Sequence, residues 1–284
     1  MLGVVLSAGR CGTQWLTDTL RDLHGNDVVV EHEPIGPLYS PRRFFRMYER
    51  PEAVLDVPEV QAHVDAISAL DKPYVETGWP IFAALPLLAS LFGPQLRVIH
   101  LTRHPVPSAL SHLSHSSYAG SPRDDSYTRL ATLGPRDPNV FQPEYADRWD
   151  ELTAYEKCLF WVTEVGMFGL EFEQRFPQVP FVRIKSEQML AGDRRTLRAL
   201  ATQLELGWDE RWVECSGTRV DRWNHHTDRD VEPLLIERHP AALATAARLG
   251  YAPTDVDLDA LRARYQGTPD LGLDRSGRFE TATR

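Results

Sequence analysis

The chain has 284 residues, of which 42% are hydrophobic and 25% charged, with a formal net charge of −9. That composition excludes wholesale disorder, and the acidic balance argues against a surface built to coat nucleic acid. Three cysteines, Cys11, Cys158 and Cys215, form no C-x-x-C pair, so neither a disulfide framework nor a zinc site is expected.

No apolar run is long enough to span a membrane, and Met1 opens straight into a strand, leaving no room for a signal peptide; the expectation is a cytoplasmic protein. Only Lys72, Lys157 and Lys185 are lysines among 31 basic residues, an arginine bias that goes with a GC-rich bacterial genome. A single domain is expected over residues 1–266. Residues 267–284, with Gly and Pro breaks and little apolar content, form an expected poorly ordered tail.

In chain order, Leu2–Leu6 is a short β-branched run of the kind found in buried strands, and Leu16, Leu20 and Leu23 recur at helical spacing. Between them lies Ser7-Ala8-Gly9-Arg10-Cys11-Gly12-Thr13-Gln14. Gly9 and Gly12 permit a tight turn, the next helix presents unpaired N–H groups, and Arg10 adds positive charge beside the donors of Ser7, Thr13 and Gln14. This is the pattern of a phosphate cradle, and equally that of any Gly-containing strand-to-helix turn. It is not the usual nucleoside-triphosphate loop, which needs a lysine after its second glycine.

A second strand, Val28–Val30, runs into Glu31-His32-Glu33-Pro34. Pro34 biases Glu33 toward an extended backbone at a strand end, where open α/β sheets bind ligands. Residues 41–70 are polar, mostly helical and form an expected cover over the site. A third strand spans 73–78, and Phe82 to Phe92 is an expected helix closed by Gly93-Pro94. Val98, Ile99 and Leu101 form a fourth strand delivering Arg103 to the same edge, with Pro105 and Pro107 opening a helix that carries Ser111. The weakly periodic residues 114–150 form an expected lid. A long helix follows over 151–176, then a strand over 180–185, a helix over 193–206, a polar connection bearing Arg219, Arg222 and His225-His226, and a helical region over 231–250 broken at Pro240.

Taken together, these pieces resemble the sulfotransferases that use 3′-phosphoadenosine 5′-phosphosulfate. Ser7–Trp15 is similar to the family's 5′-phosphosulfate loop, and Arg103-His104-Pro105 with Ser111 eight positions on is similar to its 3′-phosphate motif. Phe181 to Leu190 resembles a further strand and turn, although Lys185-Ser186-Glu187-Gln188 departs from the family's wording. Arg222-Trp223 and the helix ending Arg248-Leu249-Gly250-Tyr251 are like its C-terminal region.

The resemblance implies a P-loop-like, three-layer α/β fold, a central parallel sheet flanked by helices, working without metal. It implies that Ser7, Gly9, Arg10, Cys11, Gly12, Thr13 and Gln14 hold the 5′-phosphosulfate, that Arg103 and Ser111 hold the 3′-phosphate, and that Arg219 or Arg222 closes over the donor. The acceptor would be a hydroxyl, or secondarily an amine, of a small molecule or glycan.

In the family's cytosolic branch the third strand carries the basic histidine, but Gly78 stands in that place here. Glu33-Pro34 resembles instead the glutamate of the carbohydrate-directed and bacterial branches. Glu33 is therefore the expected base, with His32, Glu31 and Glu76 as competitors; Glu31 and Glu76 are also candidates for acceptor binding, and Arg10 for stabilising the leaving group. A small-molecule kinase on a related fold and a non-catalytic nucleotide-binding protein are the competing functions.

Overall fold

The structure is a computed structural model and describes residues 1–115, 117–118, 130–217 and 233–261. Five parallel strands form one sheet in the order β2-β3-β1-β4-β5. They are β1 (Leu2–Leu6), β2 (Val29–Glu31), β3 (Tyr74–Glu76), β4 (Leu96–Thr102) and β5 (Phe181–Lys185). Every residue of the central β1 is buried, as a strand covered by helices on both faces requires.

Strand alternation sorts the core into two layers. Leu2, Val4 and Leu6 of β1 face α2 (Pro41–Phe44), α3 (Pro58–Ser68), α4 (Leu85–Phe92) and the long α6 (Ala154–Arg175), in a cluster that includes Phe44, Phe82, Trp161 and Phe168. Val5, with Ile99, Leu101 and Ile184, faces α1 (Thr13–His24), α8 (Arg194–Gln203) and α9 (Arg211–Cys215), packing on Leu16, Leu20, Leu200 and Trp212. A third cluster joins α5 (Pro105–Leu113) to α6 through Leu110, Leu113, Tyr155 and Leu159. The fold is therefore a three-layer α/β sandwich around a parallel sheet. Among the described residues no helix is long and apolar enough to cross a membrane.

Several boundaries differ from the sequence expectation for physical reasons. The expected helix over 82–92 is a 3₁₀ stretch, Pro80–Ala84, followed by α4; Pro86 belongs in a first turn, which moves the α-helical start to Leu85. Helix α6 starts at Ala154 because Thr153 and Glu156 form a reciprocal capping box, Glu156 N–H donating to Thr153 Oγ1 at 3.2 Å and Thr153 N–H to Glu156 Oε2 at 2.9 Å. Past the break at His239 runs α10 (Pro240–Arg248).

The expected lid is in part an anchored wall. Ala131 and Leu133 are buried, and Glu164 of α6 accepts the N–H groups of Phe141 and Gln142 at 2.8 and 2.9 Å. Residues 116 and 119–129 of that segment, the connection bearing Arg219 and Arg222, and the 267–284 tail lie outside the described residues.

Candidate active site

The sheet's topology brings the carboxyl ends of β1, β2, β3 and β4 to one edge, the place where open α/β sheets hold ligands. The loop after β1 has three left-handed residues, Gly9 (φ 84), Arg10 (φ 59) and Gly12 (φ 90), a conformation in which successive backbone N–H groups make an anion-binding concavity. Gly9 N–H donates to the buried Ser7 Oγ at 3.0 Å, closing the turn. Gly12 caps α1 with no side-chain hydrogen bond, and no acidic residue occupies the first turn. The helix start is thus uncapped and free of negative charge, an arrangement that favours an anion, with Arg10 two residues before the cap.

The two motifs expected to hold two phosphates interlock. Arg10 Nε donates to Ser111 Oγ at 3.0 Å, and Arg103 Nη1 donates to the Arg10 carbonyl at 2.9 Å. Arg103 leaves β4 and Ser111 lies on α5, so residues about a hundred positions apart build one polar cluster. Glu187 at the start of α7 (Ser186–Leu190) supports it, accepting His104 N–H at 2.9 Å and the Tyr251 hydroxyl at 3.0 Å. The departure in the Lys185–Gln188 wording therefore retains a carboxylate that ties β5 and the 250 turn to the Arg103 loop.

Not every residue assigned to the loop faces a ligand. Cys11 is buried in the core, its Sγ 3.0 Å from the Gly9 carbonyl, and burial pushes the thiol up to about 12, so it contributes only its main chain. Gln14 Nε2 donates to Asp18 Oδ1 at 3.0 Å, one turn along α1, as residues at i and i+4 do on a helix. Thr13 is buried, and its carbonyl accepts the Thr17 hydroxyl at 2.8 Å.

Opposite the loop stands Glu33, just beyond β2. It has φ 50, the left-handed region, contrary to the extended backbone that Pro34 favours. A non-glycine residue held there carries strain of order 1–3 kcal/mol, and the surroundings explain how it is held. A Cβ added to Gly78 would lie 2.5 Å from Glu33 Cγ and 2.7 Å from Glu33 N; glycine at 78 is what lets the carboxylate's backbone approach β3. Burial raises the Glu33 carboxyl to about 7, opposed by the Trp79 main-chain hydrogen bond and by Arg10, and assisted by the neighbouring charge of Glu76.

The competitors separate clearly. His32 lies 3.9 Å from Glu33 Oε1, beyond hydrogen-bond range, while its Nδ1 is 3.1 Å from Thr77 Oγ1; burial lowers its proton affinity and keeps the ring neutral. Glu31 Oε2 accepts the Tyr74 hydroxyl at 2.7 Å. Glu76 is fully buried, covered by the 36–68 segment, with Tyr39 and His63 on its carboxylate. That coverage leaves none of Glu76 exposed, which its place in the strand Tyr74-Val75-Glu76 did not reveal.

Sequence reasoning missed three contributors: Trp79, whose ring lies against Gly9; His112, buried beside the loop and held neutral by burial; and Trp161, whose Nε1 donates to the Ala8 carbonyl at 2.8 Å. The spacing of Trp161 on α6 marks it only as a core residue. Among the described residues no cluster of three or more His, Cys, Asp or Glu side chains is arranged to hold a metal.

No family model and no curated protein matches the chain. Three solved structures are similar to it: a sulfotransferase domain from the curacin biosynthetic pathway (12% identity, 89% of this chain and 98% of that one, TM-score 0.47); a sulfotransferase from Alicyclobacillus acidocaldarius (14%, 89% and 97%, 0.49); and a sulfotransferase domain from the Synechococcus PCC 7002 olefin synthase (14%, 95% and 95%, 0.39). All three are sulfotransferases.

Proposed function

We propose that this chain is a sulfotransferase that moves a sulfuryl group from 3′-phosphoadenosine 5′-phosphosulfate to a hydroxyl of a small molecule or glycan, with Glu33 as the base. One observation carries the reading. Arg10 bonds Ser111 of the second phosphate motif and Arg103 bonds the Arg10 carbonyl, so the two motifs suited to phosphate groups are joined at one sheet edge, and the positive charge of Arg10 acts on the Glu33 carboxyl.

The residues fit the donor. An uncapped helix start free of acid, a glycine loop and two arginines suit two phosphate-type groups held by hydrogen bonds and charge. Ser7, Gly9, Arg10, Gly12 and Thr13 would hold the 5′ end, and Arg103 and Ser111 the 3′-phosphate. Bound donor supplies an activated sulfuryl group on a phosphate leaving group.

The chain's own residues do the rest. Glu33 takes the acceptor's proton on a carboxylate oxygen, a role typically contributing about 10²–10⁴-fold. Its raised proton affinity, at about 7, matches a base working near neutral pH. Arg10 and the N–H groups opening α1 face the negative charge that grows on the departing oxygen, where fixed donors in a water-poor site act most strongly.

Calorimetry with 3′,5′-bisphosphoadenosine, with and without magnesium, tests the donor reading; metal-independent binding is expected, and binding only with metal would favour a kinase. Transfer of labelled sulfate to a panel of hydroxyl compounds, compared between the native chain and Glu33→Gln, tests the base. Retained turnover in E33Q with intact nucleotide binding would move the base elsewhere.

A further inference from the structure

The ring of His32 is held by one of its two nitrogens. His32 Nδ1 lies 3.1 Å from the Thr77 hydroxyl, which lies 2.5 Å from the Thr17 hydroxyl, and Thr17 donates in turn to the Thr13 carbonyl at 2.8 Å. Both threonine side chains belong to fully buried residues. The end of β2, the residue after β3 and the start of α1 are thereby joined in one chain of hydrogen bonds.

Hydrogen counting fixes the direction of that chain, because a hydroxyl has a single hydrogen to give. Thr17 commits its own to the Thr13 carbonyl, so the hydrogen between the two hydroxyls comes from Thr77. Thr77 then offers His32 only an oxygen lone pair, and Nδ1 carries the ring's proton. The Glu31 carbonyl, 3.2 Å from the Thr77 hydroxyl, already accepts the Thr77 N–H at 3.0 Å. In a neutral imidazole the other nitrogen is then a hydrogen-bond acceptor, and burial keeps this ring neutral. That acceptor is Nε2, 3.9 Å from Glu33 Oε1, with the two side chains 22% and 21% exposed. No hydrogen bond joins these two atoms, and among the described residues none reaches Nε2. Two acceptors thus stand side by side at the carboxyl edge of the sheet, and a molecule that satisfies both must bring two hydrogens.

We propose that His32 is a specificity-determining residue whose Nε2 accepts a hydrogen bond from a second hydroxyl on the carbon next to the reacting one, making the acceptor a vicinal diol of the kind found in sugars and other polyols. The inference rests on the reading of Glu33 as base. The 3.9 Å separation suits neighbouring hydroxyls, each joined to its own acceptor by a hydrogen bond of about 2.8 Å. A lone hydroxyl has one hydrogen and leaves Nε2 unserved, and a site built for a substrate hydroxyl discriminates against the analogue that lacks it.

Nitrogen-15 NMR of the ligand-free chain labelled at histidine reads the tautomer without any acceptor, the His32 signals being identified by their loss in His32→Asn. The Nδ1–H form is expected in the native chain, and Thr77→Val, which removes the hydroxyl, should release the Nε2–H form. An Nε2–H ring in the native chain overturns the inference. Sulfation of matched pairs, cis-cyclohexanediol against cyclohexanol and propylene glycol against propanol, gives the second reading. The diol should be favoured in kcat/KM by about 10-fold or more, and H32N, whose amide can still donate to Thr77, should bring that ratio to about one. A purely structural role for His32 lowers both members of a pair together and leaves the ratio unchanged in H32N, which overturns the inference, as does a native ratio near one. The native readings decide even if H32N fails to fold. Sulfation by E33Q is measured in parallel, so that active E33Q defeats the assignment of the base, whereas an Nε2–H ring or a level ratio with inactive E33Q defeats only the role of His32.

Discussion

Replacing Gly78 by alanine tests the site with a single methyl group. The added Cβ would sit 2.5 Å from Glu33 Cγ, 2.7 Å from Glu33 N and 2.9 Å from Glu33 Cα, where carbon atoms prefer about 3.5–4.0 Å. Side-chain rotation can relieve the clash with Cγ, but the main-chain atoms of Glu33 move only if the backbone does. One strand end must therefore retreat by about 1 Å, carrying the carboxylate with it. Overpacking of this kind costs about 1–3 kcal/mol of stability, and a base misplaced by 1 Å loses about 100-fold in kcat. Arg10, Arg103 and Ser111 belong to β1, β4 and α5, so affinity for 3′,5′-bisphosphoadenosine should hold. Urea denaturation, turnover on the best acceptor of the panel and calorimetry report the three quantities. Native kcat in G78A would refute the claim that close approach of β3 fixes the base.

Other expectations follow from the same geometry. Because the folded Glu33 carboxyl titrates at about 7 and the unfolded one near 4.5, the folded state binds the proton more tightly, and its stability falls as pH rises from about 4.5 through 7. E33Q lacks that penalty and should gain about 1–3 kcal/mol on the native chain between pH 5 and pH 8; a pH-independent difference in denaturation free energy contradicts this. Arg103→Ala removes both the proposed phosphate ligand and the bond to the Arg10 carbonyl, and should weaken nucleotide binding by about 10–100-fold, with a calorimetric Kd within threefold of native counting against it. Glu164→Ala strands the Phe141 and Gln142 N–H groups and should destabilise the chain by about 2–4 kcal/mol, checked by thermal unfolding; a Tm equal to the native value would show that the 130–150 segment is not anchored there.

The loop after β1 was legible because its signals are local: glycines, a basic residue and hydroxyls at fixed distance from a strand end. That Arg10 and Ser111 touch follows from β1 and β4 being neighbours, a pairing that neither motif states by itself. The acceptor half was less legible. Glu76 stands on a three-residue strand whose alternation does not say which face is covered, and its covering by Tyr39 and His63 depends on how the 36–68 segment folds back. The backbone of Glu33 went against its proline because a tertiary contact with Gly78 overrides a local preference. Glu164 gave no sign of pinning residues 141–142, since a glutamate within an otherwise apolar helix pattern ordinarily marks the solvent face. Cys11 and Gln14 belong to the loop in sequence, yet their side chains serve the core and the helix.

The strand order β2-β3-β1-β4-β5 has an evolutionary reading. The residues proposed to grip the donor hang from β1 and the strands on its β4 side, whereas the proposed base and the cover over it hang from β2 and β3 on the other. Under that proposal, drift or grafting in the 31–79 stretch retunes acceptor choice while the nucleotide grip is inherited unchanged. Chimaeras that exchange this stretch between distant members of such a fold divide the protein along its own seam.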